Sequence, residues 1–103
     1  MKQGEVVSFA EAQRRDRAER LAIATLEWLG REPARLARFI DQSGIKPEFI
    51  RAAASNPWFL WGVLGFMSRN ERLIEEASAD LAVVPSAFSE GLAVLDNRYP
   101  KDE

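Results

Sequence analysis

Acidic side chains are the first residues in this sequence whose type and spacing could do chemistry. Four carboxylates recur at helical spacing: Glu71, Glu75, Glu76 and Asp80. A pair of metal ions in a helical bundle needs inward-pointing carboxylates, usually with histidine at Glu-x-x-His spacing. The 103-residue chain has no histidine, and these acids lie opposite the apolar side of their predicted helix. We therefore expect a solvated acidic face that holds no metal ion.

The composition also bears on covalent catalysis. Because the chain contains neither histidine nor cysteine, it lacks serine–histidine and cysteine–histidine nucleophile pairs and the commonest zinc ligands. It carries no glycine-rich phosphate loop. We therefore predict that the protein is not an enzyme and uses no cofactor, and the sequence identifies no small-molecule substrate.

A row of arginines is the first candidate binding feature. Arg31, Arg35 and Arg38 follow one another at i, i+4 and i+7, opposite the apolar residues Leu36 and Phe39. Three guanidiniums in line could hold phosphates or an acidic partner. A solvated helix face is the commoner arrangement, and the net charge of −2 disfavours a general nucleic-acid binder. We expect the solvated arrangement.

The segment around Gly44 resembles a helix-turn-helix unit, the basis of an alternative function. Gly44 suits the turn, and Ile45 and Ile50 suit the apolar positions that follow. Ile40, however, is large where a small residue usually lets the two helices approach. The second helix also offers few polar contacts for reading bases, namely Glu48, Arg51 and Ser55. Nucleic-acid binding through the arginine-bearing N-terminal half is therefore the alternative hypothesis.

The most distinctive segment is an apolar run over residues 58–67. At 100° per residue, one side of a helix here carries two tryptophans and two glycines, Trp58, Trp61, Gly62 and Gly65. Glycine in a helix interior costs about 0.8–1 kcal/mol against alanine, so its presence here indicates that another surface approaches closely. Either a neighbouring helix of the same chain fills the notch, or a second chain or a ligand does, since large aromatics anchor interfaces.

The elements that position these residues follow from capping signals and apolar spacing. Helix starts are predicted at Ser8, Pro33, Pro47, Asn56–Pro57, Asn70 and Pro85. Gly30 and Gly44 are typical helix ends. The helix over 57–69 is apolar all round, which is typical of a central helix. The sequence therefore predicts an all-α fold, a compact bundle of five or six short helices around this central one.

Length and composition indicate one domain. We predict a flexible N-terminus over 1–7, a single all-helical domain over 8–96 and a polar C-terminal tail over 97–103. The N-terminus lacks the apolar stretch of a signal peptide. The longest apolar run would form a helix of about 15 Å, half of the roughly 30 Å bilayer core. We therefore expect no membrane association, and the lack of cysteine fits a cytoplasmic location.

The order of these signals resembles a small bacterial family of unknown function, the domain-of-unknown-function family numbered 3572. The resemblance covers about residues 20–90. The matching positions are AIATLEWL at 22–29, PARLARFIDQSG at 33–44, the stretches 45–54 and 57–64, and Phe66, Glu71, Leu73 and Pro85. Gly91 departs from the helix formers usual in the last helix. The resemblance implies an all-helical fold and brings no activity, cofactor or catalytic residue.

The leading functional hypothesis is a non-enzymatic helical protein-interaction module. It would bind a protein partner, or a second copy of itself, through the face formed by Trp58, Trp61, Gly62 and Gly65.

Overall fold

Helices account for nearly all of residues 3–96, the part of the chain that the computed structural model describes. In chain order they are α1 (Gln3–Gly30), α2 (Pro33–Ser43), a 3-10 turn (Pro47–Phe49), α3 (Ile50–Ala53), α4 (Pro57–Ser68), α5 (Glu71–Leu81) and α6 (Ser86–Asp96). There is no strand among these residues. The predicted all-α bundle is therefore confirmed.

Prolines and capping residues set several helix boundaries as predicted. Pro33 and Pro57 occupy the first positions of α2 and α4, where the missing backbone N–H would have had no helical partner. The Asn56 side chain accepts a hydrogen bond of 2.8 Å from the backbone N–H of Trp58. Gly44 ends α2 in the left-handed region, with φ of 76°. Local sequence therefore determines where these helices start and stop.

Other boundaries differ from the sequence expectation. α1 begins at Gln3, five residues before the expected capping residue Ser8, and its 28 residues make it longer than the short helices predicted. The flexibility of residues 1–7 stays a prediction, and residues 1–2 and 97–103 lie outside the described residues. Asn70 does not cap α5. Its side-chain amide instead donates to the Phe66 carbonyl at 2.7 Å, because the unpaired carbonyls at the end of α4 lie within its reach.

Helix α4 lies in the middle of the bundle, as its apolar sequence predicts. It packs against α1, α2, α5 and α6. Its buried residues are Leu60, Val63, Leu64, Phe66 and Met67, none of them more than 3% exposed. Large side chains from the surrounding helices complete the core, chiefly Trp28, Leu29, Phe39, Phe88 and Leu95. Burying each such side chain contributes roughly 1.5–3 kcal/mol, so this apolar contact holds the bundle together.

Helix α6 reaches the core through a glycine. A Cβ at Gly91 would lie 3.0 Å from Cδ1 of Leu64 and 3.6 Å from Cβ of Ala18. Both neighbours are buried, and the Leu64 side chain would have to shift by a few tenths of an ångström to accept even a methyl group here. The departure of Gly91 from the usual helix formers therefore has a packing reason.

Trp28 connects three helices. Its ring, on α1, is 1% exposed, and its indole Nε1–H donates to Oδ2 of Asp80 on α5 at 2.7 Å. The guanidinium carbon of Arg35 on α2 lies 3.8 Å from the ring centroid, a cation–π contact. One buried side chain therefore fixes α2 and α5 relative to α1.

The left-handed residues that end α2 and α5 generate a reciprocal prediction. Gly44 has φ of 76°, whereas Ala82 holds a left-handed conformation, φ 57°, with a side chain. Alanine costs about 1 kcal/mol more than glycine there. Gly44→Ala should therefore lower the free energy of unfolding by about 1 kcal/mol, and Ala82→Gly should raise it by a similar amount, in urea titrations followed by circular dichroism. A less stable Ala82→Gly variant would contradict the left-handed end of α5.

Candidate interaction surface

The tryptophan–glycine face, formed by Trp58, Trp61, Gly62 and Gly65, lies on the side of α4 that points away from the core. Trp58 is 52% exposed, and the other three residues are half-buried. The opposite side of the helix carries the buried core residues of α4. The two sides of this apolar helix therefore have different roles, one packed inside the chain and one at its surface.

The two tryptophans of the face form a stacked pair. Their ring centroids are 4.7 Å apart and their planes differ by 22°. The indole Nε1 of Trp61 is buried and has no acceptor within residues 3–96. A buried donor left without an acceptor costs roughly 1–3 kcal/mol. The pair therefore presents a large aromatic surface beside a polar group that the described part of the chain does not satisfy.

The two glycines of the face have different surroundings. Beyond the backbone of its own helix, a Cβ at Gly62 would meet no heavy atom within 4 Å in the described structure. A Cβ at Gly65 would make ordinary contacts, 3.7 Å from Nη1 of Arg69 and 3.9 Å from Cδ1 of Leu92. Among residues 3–96 no neighbouring helix fills the notch at Gly62. Of the two arrangements, the one in which an occupant comes from outside these residues is therefore favoured.

Two shallow grooves flank the face. The groove between α4 and α6 has a volume of about 440 Å³ and includes Gly65 and Leu92. The groove between α2 and α4 has a volume of about 320 Å³ and includes Trp58. Both grooves are lined by Trp61, Gly62 and Arg69. The face is therefore a ridge between two depressions.

Arg69 is a residue of this surface that sequence reasoning missed. It is exposed, it follows the last residue of α4, and its guanidinium lies back across Gly65. Among residues 3–96, Arg69 forms no ion pair. The available signal was its spacing, since it stands four residues after Gly65 and seven after Gly62.

The arginine row does not present three free guanidiniums. Arg31 lies in the turn before α2, and Arg38 is exposed. Arg35 is half-buried and stacks on Trp28. The spacing assumes that Arg31 shares a helix with Arg35 and Arg38, whereas α2 begins only at Pro33. The predicted basic patch is therefore reduced to two separate exposed arginines.

The second helix of the helix-turn-helix resemblance is short. After Gly44 the chain forms a 3-10 turn of three residues that continues directly into the four residues of α3. Together they span about 12 Å, which is short for a helix that reads bases in the major groove.

The acidic residues on α5 are exposed, as expected. Within residues 3–96, no three potential metal ligands lie together. In the same range, no single helix is long and apolar enough to cross a membrane. Helices α5 and α6 pass that test only as a pair, with a bend of 103° between them.

A family model described as a protein of unknown function, DUF3572, matches residues 15–98. The chain belongs to this family. The matched range includes α2 to α6 and half of α1, and so the whole tryptophan–glycine face of this family member. No curated protein and no solved structure matches the chain.

Two glycine substitutions test the packing of this DUF3572 protein. Gly62→Ala should raise the free energy of unfolding by about 0.8–1 kcal/mol, because the new methyl group enters open space. In the matched control Gly91→Ala, contact with Leu64 at 3.0 Å should cancel that gain. Thermal melts in dilute solution measure both variants. If Gly62→Ala destabilises the dilute protein, a part of the same chain fills the notch.

Single arginine substitutions test the basic row. Arg35→Gln should lower the free energy of unfolding by about 0.5–1 kcal/mol, because it removes the cation–π contact with Trp28. Arg38→Gln, the matched control, should change it by less than about 0.5 kcal/mol, as is usual for an exposed site. Urea titration followed by tryptophan fluorescence measures both, and equal losses would show that Arg35 has no special role.

Proposed function

We propose that this protein is a non-enzymatic interaction module of the bacterial cytoplasm, and that it binds another protein through the tryptophan–glycine face. The open space at Gly62 is the observation that carries the proposal. Nothing else in the described part of the chain uses the absence of a side chain there.

The composition of the face supports this proposal. A glycine at position 62 costs about 0.8–1 kcal/mol against alanine, and no contact within residues 3–96 offsets that cost. Next to it, Trp58 exposes half of its surface. Large aromatic side chains beside a concave site are typical anchors of protein interfaces. A partner that packs on Trp58 and enters the notch would account for both the glycine at position 62 and the exposed ring.

The polar groups in the adjoining groove support binding rather than catalysis. The Ser68 hydroxyl donates to the Gly65 carbonyl at 2.8 Å, and the Ser89 hydroxyl donates to the Ser86 carbonyl at 3.1 Å. Both hydroxyls therefore bond to their own helices. A nucleophile needs a base that accepts its proton, whereas each of these hydroxyls donates to a backbone carbonyl.

The nucleic-acid alternative receives less support. In the arginine row, Arg35 stacks on Trp28, and the helical segment after Gly44 is short for reading bases. The protein-binding proposal therefore has a defined contact surface, whereas the arginine row contributes only Arg31 and Arg38 to the alternative.

Photo-crosslinking in the native cell tests the proposal. Trp58 is replaced by p-benzoylphenylalanine, and in a matched control the same substitution is made at Phe49, which is 55% exposed and lies off the face. We expect protein adducts at position 58, identified by mass spectrometry, that are absent at position 49. No adduct at 58, or the same adducts at both positions, would refute the proposed contact surface.

A further inference from the structure

Four residues on the surface of α4 have a spacing that is the same in both directions along the helix. Trp58, Gly62, Gly65 and Arg69 are separated by four, three and four residues. At 100° per residue these positions fall within a stripe roughly 60° wide. The stripe lies opposite the buried residues of α4. An aromatic ring therefore stands at one end of an outward stripe, a cation at the other, and two glycines between them.

The surface shape of this stripe is also self-complementary, because a raised part and a hollow part lie side by side. At Gly65 the guanidinium of Arg69 covers the helix, with Nη1 3.7 Å from where a Cβ would be. At Gly62 a Cβ would meet nothing within 4 Å. The stripe thus has a raised, charged part at Gly65 and a hollow at Gly62. These two positions are three residues apart and lie at equal distances from the centre of the stripe.

A two-fold axis through the centre of the stripe would bring matching parts together. In an antiparallel pair of α4 helices, Gly62 of one copy lies opposite Gly65 of the other. The guanidinium that covers Gly65 then faces the hollow at Gly62 of the other copy, and beyond it the ring of Trp58. A two-fold contact repeats each such pairing twice, which is the rule for self-complementary interfaces.

A contact between an arginine and a tryptophan, as this pairing needs, already occurs within one chain. Arg35 lies 3.8 Å from the centroid of the Trp28 ring, and a guanidinium over an indole is the strongest form of cation–π contact between side chains. Arg69 has no ion pair within residues 3–96. Its guanidinium can therefore turn to a ring on another molecule without breaking a salt bridge in the described structure.

We infer that the occupant of the tryptophan–glycine face is a second copy of this chain, with α4 packed antiparallel on α4 and Arg69 of each copy on Trp58 of the other. The inference rests on the proposed function, because it names the partner of the same surface. It adds Arg69 as the residue that determines which partner fits.

A charge-swap experiment tests this arrangement. Arg69→Glu places a carboxylate against each indole, and Trp58→Arg places an arginine against each Arg69. Each variant should weaken the dimer by about 10- to 100-fold, because two cation–π contacts are lost. In a one-to-one mixture, one native Arg69–Trp58 contact returns and the other becomes a glutamate–arginine pair. The mixed dimer should therefore form where neither variant dimerises alone, as measured by sedimentation equilibrium.

Matched variants control for charge and folding. Arg72→Glu makes the same change at an exposed arginine on α5, and Phe49→Arg replaces an exposed aromatic off the stripe. Both should dimerise like the parent. Gly62→Ala should weaken the dimer even though it stabilises the dilute chain, because its methyl group occupies the hollow. Circular dichroism confirms that every variant is folded.

The outcomes separate this inference from the proposed function. A parent chain that stays monomeric at high concentration overturns the inference, as does a dimer that tolerates both charge changes or a mixture that does not recover. In each of these cases, crosslinks from position 58 to a different protein would leave the proposed function standing. A monomer without crosslinks at position 58 would overturn both.

Discussion

The burial of Trp28 between a carboxylate and a guanidinium is the contact on which the arrangement of the helices depends. A buried indole needs an acceptor for its N–H, and Asp80 supplies it from α5. The face of the same ring takes Arg35 from α2. Two charged residues that resemble surface features in the sequence are thereby committed to holding helices together. Because both residues are used in packing, the exposed aromatic surface on the outer side of α4 is the better candidate for binding.

Two glycines show how one residue type can have two different roles. At Gly91 on α6, Leu64 and Ala18 occupy the space beside the backbone, so the missing side chain allows close packing against the core. Gly62 lacks a side chain where residues 3–96 leave the space open. The packing of the described helices explains the first glycine and does not explain the second.

The sequence predicts the architecture well because its signals are local. Pro33, Gly44 and the Asn56–Pro57 pair set helix ends through groups within a few residues of each other, and the apolar run of α4 identifies the central helix. The role of Arg35 does not follow from its spacing, because its partner Trp28 belongs to another helix. Trp28 and Asp80 are 52 positions apart, and helical spacing carries no information about such a contact. Asn70 and Arg69 differ from this case, because each contacts a residue only four positions away.

The three tryptophans have a further consequence for how the molecule emits light. Trp28 is buried in the core and only 1% exposed, whereas about half of the surface of Trp58 is exposed to solvent. A collisional quencher dissolved in water therefore reaches the second ring and not the first. Quenchable emission reports on the outer side of α4, and protected emission reports on the integrity of the core. The unlabelled chain thus carries separate optical signals for changes at the outer side of α4 and for unfolding.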